Sequence, residues 1–199
     1  MELELLTKQV MDRIFVPLEA SGRHVHVTSA QAQVLFGHPL TPKRELSQPG
    51  QYLANERVTV IGPKGQFENV AVLGPERKEA QVEISLTDAR VLGFTPPVRP
   101  SGSVENSPGV TLLGPMGKVA LKQGVIIAQR HIHVHPEDAA RLGLKDKQMV
   151  KLKTYTSRPV IFEELLVRVH PAFSTSVHLD YDEANACGFQ NGDLGRILQ

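Results

Sequence analysis

Arg23-His24-Val25-His26-Val27 returns as Arg130-His131-Ile132-His133-Val134, offset by 107 residues. The match continues beyond the histidines, with Ala32 facing Ala139 and Leu35 facing Leu142. A second pair of segments follows in the same order. Gln81-Val82-Glu83-Ile84-Ser85 through Gly93-Phe94 aligns with Ser176-Val177-His178-Leu179-Asp180 through Gly188-Phe189, at an offset of 95. One matched block is within the reach of chance; two in the same order indicate duplication of a unit of roughly 100 residues.

Each block reads as a short strand, a capping signal and a short helix. Thr28 and Gln31 suit a capping box, Pro136 suits a first helical position, and Ser85-x-x-Asp88 and Asp180-x-x-Glu183 repeat the box downstream. Gly93 and Gly188 end the later helices. Elsewhere β-rich runs (58–61, 70–73, 110–113, 125–128, 150–152, 165–169) alternate with Gly-Pro turns at Gly62, Gly74 and Gly114. This pattern predicts a mainly β protein with short capping helices, arranged as two small barrels or sandwiches. The proline-rich stretch Thr95 to Pro108 reads as the connection between copies, and Leu40 to Ala54 as a long turn-rich loop.

Composition narrows the function. The 199 residues carry 22 Lys plus Arg against 21 Asp plus Glu, which leaves no electrostatic footprint for nucleic acid or an anionic membrane. Hydrophobic content of 41% is ordinary globular usage, and no apolar run approaches a membrane span. The N-terminus lacks the basic start and apolar core of a signal peptide. A single cysteine, Cys187, excludes an intrachain disulfide framework and a thiolate-rich zinc site. A soluble intracellular protein is expected.

The histidines carry the chemistry. Side chains alternate along a strand, so His24 and His26 project to one face, as do His131 and His133, while Val25 and Ile132 face the opposite, apolar side. Where the first copy has Glu83 the second has His178, and both residue types ligate the same borderline metals. The repeat therefore suggests two sets of three, His24, His26, Glu83 and His131, His133, His178. Three ligands with a position left open is the catalytic zinc pattern, and two such sets at the interface of the copies suit a binuclear centre.

Other residues read more plainly. His135 follows the second pair where the first copy has Thr28, and reads as a helix cap or as a residue supporting the ligands; His38 and His170 sit beside prolines in loops. Arg23 and Arg130 precede the pairs and point away from them, as salt-bridging residues would. Cys187 faces Leu92 in the repeat and reads as a small buried side chain. Arg77, just after the Gly74-Pro75 turn and six residues before Glu83, suits a bidentate grip on phosphate or carboxylate. The sequence has no phosphate-binding glycine loop, serine nucleophile elbow or dinucleotide fingerprint.

The motifs taken together resemble the PduL-type phosphotransacylases, also called phosphate propanoyltransferases. The resemblance rests on the two His-x-His segments, Leu46-Ser47-Gln48-Pro49-Gly50-Gln51-Tyr52, Leu73-Gly74-Pro75 with Arg77, Gln81-Val82-Glu83-Ile84-Ser85 and Ser107-Pro108-Gly109, and spans about Val16 to Ile197. His135 and Val104-Glu105-Asn106 depart from the family pattern. The resemblance implies two six-stranded barrels that interleave: residues 16–23 with 129–199 in one, 24–128 in the other, after an N-terminal helix over 1–15. It implies two zinc ions, on His24, His26 and Glu83 and on His131, His133 and His178, with Arg77 as the catalytic, phosphate-contacting arginine. The implied reaction is reversible transfer of an acetyl or propanoyl group between coenzyme A and inorganic phosphate, giving acyl phosphate. No cysteine or serine is placed for a covalent intermediate, so direct transfer is expected. Lys43, Arg44, Lys78 and Arg99 are available for the coenzyme A nucleotide. A homodimer is also implied, in the bacterial cytoplasm or inside a bacterial microcompartment. The N-terminal helix, with Leu3, Leu6, Val10 and Ile14 on one face, would either pack on its own barrel or be the route to a shell protein.

Two other functions fit parts of this pattern. A binuclear metallohydrolase of a phosphoester or cyclic amide would use the same six ligands to activate water. A non-enzymatic module would use zinc as a fold staple, but structural zinc sites usually close with four ligands and each copy offers three.

Overall fold

The computed structural model describes Val10, Met11 and residues 14–199. The chain divides into two compact units, one formed by the segment up to Ser21 with Arg130–Gln199, the other by Gly22–Gln129. Leu3 and Leu6 of the expected N-terminal helix lie outside the described residues; Val10, Met11 and Ile14 are helical and exposed.

The elements follow the repeat. After β1 (Val16–Ser21), residues 22–129 supply β2 (His24–His26), α1 (Ser29–Phe36), β3 (Pro42–Glu45), β4 (Tyr52–Ile61), β5 (Gln66–Gly74) and β6 (Gln81–Glu83). They continue with α2 (Leu86–Leu92), β7 (Val98–Arg99), β8 (Val110–Leu113), β9 (Lys118–Leu121) and β10 (Val125–Ala128). The remainder gives β11 (His131–Val134), α3 (Pro136–Leu142), β12 (Met149–Tyr155), β13 (Ile161–Val169), β14 (Ser176–Asp180), α4 (Tyr181–Cys187) and β15 (Leu194–Leu198).

From Val16 on, the described residues are mainly β with four short helices, and the glycines expected to stop two of them, Gly93 and Gly188, do so. Thr28, Ser85 and Asp180 close capping boxes with Gln31, Asp88 and Glu183. His135 caps α3, its ring accepting from the Glu137 amide ahead of Pro136. All four helices end at a left-handed glycine, where a Cβ would add strain.

The strands β1-β14-β11-β13-β12-β15 form a closed barrel, sealed by antiparallel pairing of Val16 with Gly195 and Pro17 with Leu194. In the other unit β10-β6-β2-β5-β4-β8 follow the same order in a curled half-barrel sheet that does not close, so both units are barrel-like, as expected. Strand β7 occupies the free edge of β10 and β9 that of β8, so the two edges that would meet are taken. With β3 on β4, this sheet has nine strands rather than six. The strand before each His-x-His leaves its own copy. Strand β1 runs parallel to β14, with Glu19 opposite His178; β10 runs parallel to β6, with Ile126 opposite Glu83.

Two loop expectations change. The offset falls from 107 to 95 because the first copy carries twelve extra residues between its His pair and Gln81, where part of Leu40 to Ala54 forms β3. Proline is tolerated at the start of this exposed edge strand. Thr95 to Pro108 does not join the copies: it lies inside the 22–129 unit, because β7 and β10 both belong to that sheet.

Each unit has its own core. Val25, Val58, Val60, Val72, Val82, Leu92 and Leu112 fill one; Leu18, Ile132, Leu152, Leu165, Val167, Val177 and Leu179 fill the other. Val25 and Ile132 are wholly buried, and strand alternation turns their histidine neighbours to the opposite face.

Candidate metal centre

Register assembles the two sets. His24 sits directly opposite Glu83 across β2 and β6, and His131 opposite His178 across β11 and β14. His26 and His133 are two residues further along, opposite Gln81 and Ser176. In each set one ligand atom per residue lies within 4.8 Å of the other two.

In the first set the donor atoms are already sorted. A backbone carbonyl only accepts, so His24 Nδ1 donates to Gly22 O (2.8 Å) and His26 Nδ1 to Leu73 O (3.2 Å). Both Nε2 lone pairs are then left for a metal. Glu83 Oε1 accepts from the Gln81 amide and from Ser101 Oγ (2.8 Å), which leaves Oε2, 3.5 Å from His24 Nε2. Two imidazole nitrogens and one carboxylate oxygen, nearly inaccessible to water, fit zinc or a similar borderline cation. Burial opposes ionisation of Glu83, but the His24 and His26 rings and the Ser101 hydroxyl hold its carboxyl well below the usual range. Burial also opposes protonation of His24, yet facing Glu83 raises its pKa above the ordinary imidazole value. Burial, then the charges of His24 and Arg77, push His26 well below it.

The second set is three imidazoles. His133 Nδ1 and Ser176 Oγ each lie 3.1 Å from His178 Nε2, and the His131 and His178 rings stack at 5.0 Å. Glu19, from the exchanged strand β1, places a carboxylate oxygen 3.8 Å from His178 Nδ1. Phe173 packs on His133 with ring centroids 4.0 Å apart.

Arg77 is half-buried, its backbone N–H donating to Val27 O at 2.9 Å, so it stands beside the end of the His24–His26 strand. Its charge acts on both rings. Arg23 and Arg130 bind away from the sets, and they do so equivalently. Arg23 forks onto Asp88 (2.7 and 3.1 Å) and lies over Phe67; Arg130 reaches Glu183 at 2.5 Å and lies over Phe162. Each arginine ties a His strand to the helix behind the third ligand. Cys187 is buried, its thiol donating to Ala184 O. His38 and His170 are exposed.

Of the residues available for coenzyme A, Lys43 and Arg44 lie on exposed β3, and Arg99 donates to the Glu105 carbonyl. Lys78 lines a cavity of about 290 Å³ with Thr28, Gln31, Ala80, Lys122 and Gln123. Gln81, Ser101 and Glu19 were missed by sequence reasoning. Glu19 had a usable signal, since it stands at the repeat position of Ile126 and both strands flank the third ligand.

The comparisons with known proteins agree with one another. The profile described as Phosphate propanoyltransferase matches residues 17–190. Phosphate propanoyltransferases of Enterococcus faecalis and Leptotrichia buccalis are each 52% identical, over 92% and 98% of this chain and 87% and 92% of their own lengths. That of Thermotoga maritima is 52% identical over 90% of this chain and 87% of its own length. With a profile match across most of its length and relatives this similar from end to end, the chain belongs to the phosphate propanoyltransferase family of acyltransferases.

Proposed function

We propose that this protein transfers an acyl group directly between coenzyme A and inorganic phosphate, with one zinc ion on each three-residue set. The observation that carries the zinc reading is the sorted first set: three donor atoms converge while every competing atom on the same side chains is already hydrogen-bonded. A zinc ion held there supplies positive charge that stabilises a thiolate or an oxyanion at neutral pH. The chain's own residues do the rest. Arg77 offers a fork of donors for phosphate beside the first set. A cation on the first set, with Arg77 beside it, would offset the charge of anionic reactants bound there, and holding them converts a bimolecular encounter into a local one. The cavity lined by Lys78 and Lys122 supports binding of an anionic end of coenzyme A, since Thr28 is two residues from His26 and Lys78 adjoins Arg77.

Acetyl and propanoyl groups differ by one methylene, worth about 1–3 kcal/mol of discrimination, so both are expected substrates. A homodimer in the bacterial cytoplasm or inside a microcompartment, with the N-terminal helix meeting a shell protein, belongs to the same proposal; sedimentation of the purified chain tests the dimer. Among the described residues no helix is long and apolar enough to cross a membrane.

The deciding experiment follows loss of thioester from propanoyl-CoA on adding phosphate, using zinc-loaded, chelated and zinc-restored protein. Phosphate-dependent loss that disappears on chelation and returns with zinc supports the proposal. Loss without phosphate indicates a hydrolase, and no loss from folded, metal-loaded protein refutes the transferase.

A further inference from the structure

Gln81 is 2% exposed and pairs with His26 across β2 and β6, yet it is not one of the six proposed metal ligands. Its amide is fully used. Nε2 donates to Glu83 Oε1 and to Ser101 Oγ (2.8 Å), and Oε1 accepts from the Gly102 backbone N–H (2.7 Å). Ser101 Oγ, receiving that bond, donates its own proton to Glu83 Oε1. The three side chains form a triangle in which Gln81 reaches Glu83 Oε1 both directly and through Ser101, whose accepted and donated bonds polarise each other.

We propose that Gln81 is a positioning residue which selects the metal-facing oxygen of Glu83 and fastens the Ser101–Gly102 loop tip to it. The inference rests on the zinc reading above. Both donors of the triangle fall on Oε1, so Oε2 is the oxygen turned toward His24. The roots of the loop are held without Gln81: Gln129 N–H donates to Arg99 O, and Gly124 N–H to Ser107 Oγ. Of the hydrogen bonds described, those that Ser101 and Gly102 make with Gln81 and Glu83 are the ones joining the tip to β6. The second copy lacks the arrangement. Ser176 stands at the Gln81 position, and the chain passes from Phe189 to β15 without a comparable loop. The buried amide and the longer loop occur together, in the copy whose third ligand is a carboxylate. Outer partners that orient a ligand typically set about 10–100-fold of metal affinity.

The test is Q81M in the full-length chain, which keeps the shape and removes both donors and the acceptor. Zinc affinity is read by chelator competition in an H178A background, so that the first set titrates alone. Exchange of the Gly102 amide is read by NMR. Expected are a loss of zinc affinity of about 10–100-fold and faster Gly102 exchange. S101A keeps Gln81 on Glu83 and Gly102, so it should lose less affinity and keep Gly102 protected. Parental affinity with a protected Gly102 amide in folded Q81M overturns the proposal. If Q81M does not fold, Q81S, which installs the residue the second copy carries at this position, decides by the same two readouts: parental zinc affinity with a protected Gly102 amide overturns it as well. A parent that binds no zinc defeats the metal reading instead, and Gly102 exchange in metal-free Q81M still decides whether the clamp exists.

Discussion

His24 and His26 would suit a metal because of what their other nitrogens do. Each Nδ1 is committed to a carbonyl, which fixes tautomer and ring orientation before any ligand arrives. The phosphate grip proposed for Arg77 asks for geometry as well as charge, and this separates it from lysine. Replacing it with Lys or Ala is expected to lower kcat/KM for phosphate roughly 10- to 100-fold, the worth of a charge-assisted hydrogen bond of about 1.5–3 kcal/mol. Zinc content should stay at the parental value. Full activity in R77K would remove the bidentate role. Cys187 makes the opposite prediction. Burial raises its thiol pKa and closes access, so native protein should resist a thiol reagent and denatured protein should take one equivalent. C187A should keep phosphate-dependent activity; fast native labelling or a large loss of turnover would contradict the structure. At this scale the sequence was most legible where a residue recurs. Histidines two apart on a strand share a face, and Glu83 and His178 emerged because one copy can be read against the other. Gln81 has no such signal, since glutamine faces serine in the repeat and its partners come from a loop the second copy lacks.

The elements are fastened by charges on the side away from the metal sets. Arg23 and Arg130 each hold the strand bearing a His pair to the helix after the third-ligand strand, through Asp88 and Glu183 that also close capping boxes. Asp88 is nearly buried while Arg23 is partly exposed, so R23A should cost about 1–2 kcal/mol, toward the lower end for loss of a partner to a buried charged group. A double-mutant cycle with D88A should show coupling; additive effects would mean that packing on Phe67 alone accounts for the loss. Helix α3 supplies a pH dependence. Burial opposes ionisation of Asp138, but the Thr175 hydroxyl and Arg141 outweigh it and hold the carboxyl below its usual value. A depressed carboxyl contributes stability above its unfolded pKa of about 3.9, and that contribution is lost as pH falls through the folded value. D138N should therefore melt lower than the parent at pH 6–7, with the two curves converging as pH drops toward 3. Parallel melting curves would exclude Asp138 as a source of acid lability.

At the scale of the molecule, duplication sets the strand order, and edge pairing decides which sheet closes. The repeat made the order legible, because matched strands keep their neighbours in both units. Closure was not legible. It depends on β7 and β9, which lack repeat partners and carry weak strand signals: two residues among prolines, and Lys118-Val119-Ala120-Leu121 after a Gly-Pro turn. The exchange of β1 has a kinetic consequence. Leu18 pairs with Val177 about 160 residues away, so completing the barrel carries one of the largest loop-closure costs in the chain. Strand β1 should therefore dock late. L18A removes a buried side chain and should cost about 2–4 kcal/mol, within the range of large-to-small core changes. If docking follows the transition state, that loss appears almost wholly as faster unfolding, roughly 30- to 1,000-fold, with refolding nearly unchanged. L165A, on β13, gives the contrast: its partner β12 is a hairpin neighbour, and part of the loss should slow refolding. Stopped-flow measurements in denaturant at fixed metal would read both. An L18A variant that refolds markedly more slowly would mean that the barrel is nucleated across its longest connection, and that the exchanged strand is organised before the hairpin it was expected to follow.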